Sequence, residues 1–236
     1  MDQFLVFGHR GAKGYVMENT IASMQYALSL GVNAIEIDVY RCASGELVVF
    51  HDETLERVST RINRIEELTL AEIRLICLHG GHSIPTLQEV LDFLANRVVL
   101  NIELKGKNTA QEAFKCVEEA CRTKTFLKEN ILVSSFHDTE LRAYRNLDAT
   151  IKIGVLTRND IEEDIELAKE INAFSIHPYY QQVDLSLVIR LHALNFKVYP
   201  FTVNEVQQIE EFIEYHVDGL FCDYPDRALQ LIVNNL

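Results

Sequence analysis

Short apolar runs alternate with amphipathic stretches of helical length along the whole chain. The apolar runs predict eight strands, over Leu5–Gly8, Ala34–Val39, Val98–Leu104, Ile131–Phe136, Ile151–Leu156, Ala173–His177, Lys197–Val203 and Gly219–Cys222. The amphipathic stretches predict helices over Thr20–Leu30, Thr86–Leu94, Ala110–Thr123, Thr139–Asn146, Ile161–Ile171, Leu185–Ala193, Glu205–Tyr215 and Asp226–Val233. This alternation indicates a parallel sheet, and eight units in 236 residues indicate a closed (β/α)₈ TIM barrel.

Local signals agree with this pattern of elements. Asn19, Asp138, Asp184 and Asn204 stand where a polar side chain would cap the helix that follows. No Gly-x-Gly-x-x-Gly motif follows the first strand, so the pattern does not favour an open dinucleotide-binding sheet.

One strand-like segment, Leu47–His51, interrupts the alternation because only Arg41–Glu46 separates it from the strand before it. A parallel crossover needs about a dozen residues, so these two strands must pair as an antiparallel hairpin. Depending on the turn, His51 would face Glu36 or Asp38. Either register places the histidine on the same face as these acids.

Residues 53–84 then read as a small insertion with a short helix over Leu70–Ile76. The rest of the chain contains no internal repeat and no low-complexity linker. We therefore expect one domain that spans residues 1–236 and carries this insertion.

The acidic composition restricts the possible partners. The net charge is −13 at pH 7, whereas binding to nucleic acid needs clustered Lys and Arg side chains. The same charge disfavours anionic lipid surfaces. If the substrate is an anion, a divalent cation and one or two basic residues must reverse the charge locally.

The five cysteines are odd in number and show no Cys-x-x-Cys spacing, which is typical of small buried thiols in a reducing compartment. No segment approaches the ~20 apolar residues that are needed to span a bilayer. We therefore expect a cytoplasmic protein without a membrane span.

Polar residues at three predicted strand ends supply the candidate chemistry. Glu36, Asp38 and Glu103 offer only hard oxygen ligands, which select Ca²⁺ or Mg²⁺ over softer metals. His9 and His51 are candidates for general acid and base because the histidine pKa lies near neutrality. Positive charge for a phosphoryl group could come from two further residues, Arg10 and Lys105.

Simpler explanations exist for the same residues. The three acids could form salt bridges with Arg10, Arg41 or Lys105. Glu18 could orient Arg10 or the metal site, or it could be an ordinary acidic residue of a first helical turn. Phe201 is expected to be apolar lining of the site.

Nine segments in order resemble the glycerophosphodiester phosphodiesterase family and span nearly the whole chain. They are His9-Arg10-Gly11, Glu18-Asn19-Thr20, Glu36-Ile37-Asp38-Val39, His51-Asp52, Pro85-Thr86-Leu87, Asn101-Ile102-Glu103-Leu104-Lys105, Ser135-Phe136, Phe201-Thr202-Val203-Asn204 and Asp223-Tyr224-Pro225. This chain departs from the family pattern at Phe201, where tryptophan is usual, and at Met17, where proline is common.

The resemblance implies hydrolysis of a glycerophosphodiester to an alcohol and sn-glycerol 3-phosphate. By likeness to the family, His9 would be the base, His51 the acid toward the leaving alcohol, and Glu36, Asp38 and Glu103 the ligands of the cation. The glycerol 2-hydroxyl could attack first and give a cyclic phosphate, or water could attack directly.

Three other functions fit parts of the same pattern. A lysophospholipase D-like enzyme of the same family would act on lysophospholipids. A zinc-dependent hydrolase could use the same histidines and carboxylates. A non-catalytic glycerophosphate binder would be expected to have lost at least one of the five residues, yet all five are present.

Overall fold

The structure, a computed structural model, describes residues 4–235 of the chain. Its strands are β1 (Leu5–Gly8), β2 (Ala34–Arg41), β3 (Leu47–Val49), β4 (Val99–Leu104), β5 (Ile131–Ser135), β6 (Lys152–Thr157), β7 (Ser175–Pro178), β8 (Lys197–Val198) and β9 (Gly219–Cys222). Its α-helices are α1 (Ile21–Leu30), α2 (Leu70–Ile73), α3 (Leu87–Leu94), α4 (Thr109–Arg122), α5 (Asp138–Leu147), α6 (Ile161–Glu170), α7 (Leu185–Ala193), α8 (Val206–Glu214) and α9 (Pro225–Asn235).

The strands follow one another in the order β8-β7-β6-β5-β4-β2-β1-β9, and all of these pairs are parallel. Backbone hydrogen bonds between the two ends of this row close the ring. Asp218 N donates to Val198 O at 3.0 Å and Phe221 N donates to Pro200 O at 3.0 Å. The predicted (β/α)₈ barrel is therefore confirmed.

Two apolar layers hold the barrel together. Alternate strand residues such as Val6 and Ile35 join the helices in one large cluster outside the sheet. The other strand face forms a separate, mainly aromatic cluster inside the ring, where the Phe7 and Phe221 rings stack at 4.5 Å. The interior of the barrel is thus packed with side chains and is not an open channel.

The strand predicted over Lys197–Val203 is shorter than expected. Regular pairing ends at Val198, although Tyr199 N still donates to Ile176 O at 3.1 Å and Phe201 N to Pro178 O at 3.1 Å. Pro200 has no N–H group to donate, and the Phe201–Thr202 peptide bond is cis. The segment therefore follows the barrel wall without the regular conformation of a strand.

Three of the four expected helix caps are wrong. Asp184 does cap α7, since its side chain accepts from Leu187 N, but the cap of α1 is Thr20. Asn19 instead has a φ of 56° and turns its amide toward β2. Asp138 lies inside α5, and Asn204 is followed by Glu205, which precedes α8 without a side-chain cap.

The predicted hairpin exists, but neither expected register is correct. Val39 pairs with Val49 and Tyr40 with Val48. This register is shifted by one residue from each of the two expected registers. If the pairing continued, His51 would lie opposite Ile37, between Glu36 and Asp38. However, β3 ends at Val49, and His51 follows two residues later where the alternation of the strand no longer fixes its direction.

The segment after the hairpin builds a small apolar cluster of its own. Leu55, Val58, Ile65 and Ile73 pack there against Phe50 of the hairpin. The short helix α2 ends at Ile73, earlier than expected. It begins with a capping box formed by Thr69, which precedes the helix, and Glu72 in its first turn. The assignment of residues 53–84 as an insertion in a single domain stays a prediction.

The five cysteines are free thiols; Cys42 and Cys222 are buried as expected, whereas Cys77 is exposed. Within residues 4–235, no helix combines the length and the apolar character that crossing a bilayer would require. The expected cytoplasmic location stays a prediction.

Candidate active site

Three carboxylates meet at one edge of the barrel because of the parallel register between β2 and β4. Asp38 pairs with Glu103, and Glu36 pairs with Asn101 one pleat below. Side chains of paired residues leave the same face of a sheet. One oxygen from each of Glu36, Asp38 and Glu103 lies within 4.8 Å of the others, and all three residues are buried.

Protein cations contact this cluster, as the salt-bridge alternative expected. Arg10 Nε lies 3.2 Å from Asp38 Oδ2, and its backbone N–H donates to Glu36 Oε2 at 2.8 Å. Lys105 Nζ lies 2.9 Å from Glu103 Oε1 and 3.9 Å from Asp38 Oδ1. Arg41 lies elsewhere, near Gly45 at the tip of the hairpin.

These contacts do not satisfy the cluster. Among the described residues, Glu36 Oε1 and Asp38 Oδ1 are buried without a hydrogen-bond partner. Buried polar atoms are nearly always paired, so these two carboxylate oxygens are unusual in having no hydrogen-bond partner among the described residues.

Burial and the crowding of negative charge raise the pKa values of two of the three acids. Burial, together with the charges of Asp38 and Glu103, raises the pKa of Glu36 well above its usual value. Burial and the charge of Asp38 also raise the pKa of Glu103 to about 7, although Lys105 opposes this. Burial would raise the pKa of Asp38 too, but Arg10, His51 and Lys105 outweigh it and lower that pKa.

His9 and Arg10 occupy a tight turn directly after β1. Arg10 has a φ of 52° and Gly11 a φ of 86°, and a Cβ atom at Gly11 would lie 2.4 Å from Ser23 Oγ. Only glycine fits this approach of the turn to α1. The turn holds the two side chains over the carboxylates.

His9 is oriented by a carboxylate at the end of β9. Its Nδ1 lies 2.6 Å from Asp223 Oδ1, and Asn204 Nδ2 donates to the second oxygen of Asp223 at 2.9 Å. The Nε2 atom therefore faces the cluster, 4.0 Å from Glu36 Oε2. Burial and the charge of Arg10 lower the pKa of His9 to about 4, despite the hydrogen bond to Asp223.

His51 is held in a similar way. Its Nδ1 lies 2.6 Å from Asp52 Oδ1, which leaves Nε2 available to a ligand. Burial lowers the pKa of His51, while the charge of nearby Asp38 opposes this shift. The charge interaction between His51 and Asp38 shows that His51 lies near the carboxylate cluster, although not by the pairing expected from the sequence.

A residue of the insertion, Arg57, was missed by the sequence analysis. Arg57 Nε donates to Asp52 Oδ2 at 2.6 Å, and both terminal nitrogens donate to Glu18, at 2.9 and 2.6 Å. Glu18 in turn accepts from Arg10 Nη1 at 2.7 Å. One chain of ion pairs therefore joins the His51 side of the site to Arg10.

Glu18 contacts Arg10 and lies before α1 rather than in its first turn. Its role in orienting Arg10 stays a prediction. Burial alone would raise its pKa, but hydrogen bonds and charge from Arg57 and Arg10 lower it to about 2. Asn19 also contacts the cluster, because its Nδ2 donates to Asp38 Oδ2 at 2.8 Å.

A neighbouring part of the barrel mouth is aromatic. Phe201 is buried, as expected of apolar lining, and meets the Phe136 ring edge-on at 5.6 Å. Tyr179 completes the group at 6.0 Å from Phe201. Lys105 Nζ lies 5.8 Å from the centre of the Phe136 ring, so the aromatic side adjoins the carboxylate cluster.

Fold and site together define a (β/α)₈-barrel protein whose mouth has the residue types of a hydrolytic enzyme. Comparisons with known proteins agree. Residues 9–227 match the model of the glycerophosphoryl diester phosphodiesterase family. The chain is 33% identical over 238 residues to a glycerophosphodiester phosphodiesterase of Bacillus altitudinis, covering 96% of this chain and 97% of that one.

Two further relatives support this result. A glycerophosphodiester phosphodiesterase of Caldanaerobacter subterraneus is 31% identical over 241 residues, covering 97% of each chain. The structure of an Oleispira antarctica phosphodiesterase in complex with the product sn-glycerol-3-phosphate superimposes with a TM-score of 0.89 at 26% identity, covering 97% of this chain and 96% of that one. This chain therefore belongs to the glycerophosphoryl diester phosphodiesterase family, as its sequence motifs predicted.

Proposed function

We propose that this chain hydrolyses glycerophosphodiesters to an alcohol and sn-glycerol 3-phosphate, using two histidines and a divalent cation, Ca²⁺ or Mg²⁺. The observation that carries the proposal is the convergence of His9 and three buried carboxylates at one mouth of the barrel. The family match and the product bound by the Oleispira antarctica relative support the substrate class.

Glu36, Asp38 and Glu103 would hold the cation. Their ligand atoms are all carboxylate oxygens, which are hard ligands that suit Ca²⁺ and Mg²⁺. The oxygens of Glu36 and Asp38 that have no hydrogen-bond partner would be available to coordinate the ion. A bound cation would supply positive charge beside the phosphoryl oxygens, where negative charge develops during the reaction.

Arg10 and Lys105 would contact the phosphodiester itself. Both cations already lie against the carboxylates, at 3.2 Å and 2.9 Å, and both are held in place by these contacts. Preorganised positive charge stabilises a phosphoryl transition state more than mobile side chains can, because it needs no reorganisation during the reaction.

The two histidines would move protons at their Nε2 atoms. With its Nδ1 at Asp223 and a pKa of about 4, His9 is neutral at pH 7 and able to accept a proton. His51, with its Nδ1 at Asp52, would donate a proton to the leaving oxygen. A bound phosphodiester anion would favour the protonated form of His51 against the effect of burial.

Two routes satisfy the same proton transfers. The glycerol 2-hydroxyl could attack phosphorus and expel the alcohol, giving a cyclic phosphate that water then opens. Water could instead attack phosphorus directly. In both routes His9 takes the proton of the attacking hydroxyl group, and His51 returns one to the oxygen of the departing alcohol.

The proposal is tested by a coupled assay for release of glycerol 3-phosphate from a panel of glycerophosphodiesters. We expect release with added Ca²⁺ or Mg²⁺, loss of release with a chelator of these ions, and no effect of a zinc-selective chelator. Absence of release from every ester would reject the function, and full release after removal of all divalent cations would reject the metal site.

The roles of the histidines are tested with leaving groups of different quality. His51→Ala should slow esters of ordinary alcohols far more than an activated aryl ester, since a good leaving group needs no proton. His9→Ala should slow both, and His79→Ala, in the exposed loop of the insertion, is the matched control. Equal losses for both esters in His51→Ala would exclude its role as the acid.

A further inference from the structure

An arginine at the barrel mouth lies over three aromatic rings. Arg158 follows β6, and its Cζ atom lies 5.6 Å from the centre of the Phe136 ring, 5.3 Å from that of Tyr179 and 5.9 Å from that of Phe201. Each distance is within the range of a cation–π contact. The rings follow β5, β7 and the β8 segment, so they surround the guanidinium on the aromatic side of the mouth.

This guanidinium has no anionic partner within residues 4–235. Arg158 is exposed, and Gln182 contacts only its backbone oxygen. By contrast, the other cations of the mouth are paired, Arg10 with Asp38 and Lys105 with Glu103. In a chain of net charge −13, a positive group held over rings and left without a carboxylate is free to interact with a ligand.

Without Arg158, the rings of Phe136, Tyr179 and Phe201 would be open to a cationic ligand. Three aromatic faces around one point make the kind of cage that binds quaternary ammonium groups. Here the cage is filled by the protein's own cation. A second cation, such as the choline group of a substrate, would meet both steric exclusion and like-charge repulsion.

The aromatic group also lies within reach of a substrate bound at the carboxylates. Lys105 Nζ lies 5.8 Å from the centre of the Phe136 ring, and Arg158 Cζ lies 5.6 Å from the centre of the same ring. A phosphodiester held by Lys105 would therefore extend one of its two alcohol groups over Phe136 toward Arg158.

We propose that Arg158 determines head-group specificity: it excludes quaternary ammonium alcohols from the ring site formed by Phe136, Tyr179 and Phe201, and favours neutral or anionic alcohols. This inference rests on the proposed phosphodiesterase function and adds the charge class of the substrate.

The test compares two esters of glycerol 3-phosphate that differ only in head-group charge. One carries choline, and the other carries 3,3-dimethylbutanol, the neutral analogue in which carbon replaces the nitrogen. Values of kcat/KM are measured for both with the full chain and added divalent cation. We expect the native chain to prefer the neutral ester and Arg158→Gln to shift the ratio about tenfold toward choline.

A second pair of esters tests whether Arg158 attracts an anionic head group. The native chain should hydrolyse sn-glycero-3-phosphoinositol 4-phosphate faster than sn-glycero-3-phosphoinositol, and Arg158→Gln should remove this difference. Arg158→Lys keeps the charge and should keep both preferences. Adding Phe136→Leu to Arg158→Gln should abolish the new preference for choline, because one wall of the cage is lost.

Arg122→Gln is the matched control, since Arg122 is an exposed arginine on α4 that pairs with Glu119. Unchanged ester ratios in Arg158→Gln would overturn the inference while leaving the phosphodiesterase function intact. An equal loss for all four esters would also overturn it, because Arg158 would then contact the shared glycerol phosphate. No release from any ester by the native chain would remove the underlying function as well.

Discussion

Replacement of Glu103 by Gln should stabilise the metal-free protein, because three buried carboxylates repel one another. Burial and the charge of Asp38 raise the pKa of Glu103 from 4.5 to about 7. Since the folded-state pKa exceeds the unfolded one, ionised Glu103 opposes folding. This cost is fully present above about pH 7 and disappears below about pH 4.5.

The size of the effect follows from this shift. About 2.5 pH units correspond to about 3 kcal/mol, and Gln resembles the protonated acid in shape and charge. For a chain of this size, about 3 kcal/mol raises Tm by roughly 6–12 °C. A divalent cation at 1,000 times the Kd should reverse the comparison, since the native protein then gains about 4.1 kcal/mol that the variant lacks.

The assay is thermal unfolding at pH 8 and pH 5, with a chelator or with excess Ca²⁺ or Mg²⁺. The matched control is Glu210→Gln, on the exposed face of α8, which should change Tm little under all conditions. A metal-free Glu103→Gln variant that is less stable than the native chain at pH 8 would refute the reasoning. That result would mean that Glu103 serves mainly as the salt-bridge partner of Lys105.

Three further variants test separate contacts. Asp223→Asn weakens a charge-assisted hydrogen bond of about 1.5–3 kcal/mol to His9 and should lower kcat/KM for glycerol 3-phosphate release about 10- to 100-fold; a loss below twofold would contradict this role. Arg57→Gln should lower kcat/KM about two- to fivefold with little change in Tm, because the Arg57 side chain is itself half-exposed; unchanged kinetics would show that its ion pairs do not position His51. Asp148→Asn should cost about 2 kcal/mol of unfolding free energy in urea at pH 6. Burial would raise the pKa of Asp148, but Lys128 and Thr150 lower it to about 2, so its stabilisation exists above pH 3.8 and fades toward pH 2. A difference between native and variant protein that stays constant from pH 6 to pH 3 would contradict that assignment.

The barrel could be predicted because its signals are local. Apolar runs mark the strands, and the i, i+2 spacing places Glu36 and Asp38 on one face whatever the tertiary structure. Glu103 joins them because consecutive parallel strands are neighbours in the sheet, and β4 follows β2 there. The sequence alone therefore groups the three acids at one edge of the sheet.

His51 was predicted to lie near the carboxylates, but the hairpin register from which this was predicted is wrong. The turn of the hairpin sets the register, and a turn of several residues leaves more registers open than the two considered. The position of His51 depends instead on the path of the chain after β3, where Phe50 packs into the apolar cluster of the segment that follows the hairpin. Such packing is a tertiary effect that alternation along one strand cannot reveal.

The sequence analysis did not identify Asp223 and Asp52 as the hydrogen-bond partners of His9 and His51. Asp223 follows β9 just as His9 follows β1, and these strands are neighbours in the barrel. Applying the strand-end rule to β9 would have indicated Asp223. No comparable signal marks Arg57, because its contacts with Asp52 and Glu18 depend on how the insertion folds over the mouth.

The most direct test of the site is to measure cation binding and turnover on the same metal-free preparation. Calorimetric titration with Ca²⁺ or Mg²⁺ should give one ion per chain, and the rate of glycerol 3-phosphate release should rise along the same saturation curve. Replacing any one of Glu36, Asp38 and Glu103 by its amide should weaken both together. Undiminished release from protein that binds no cation would contradict the assembly of these residues around a single metal ion.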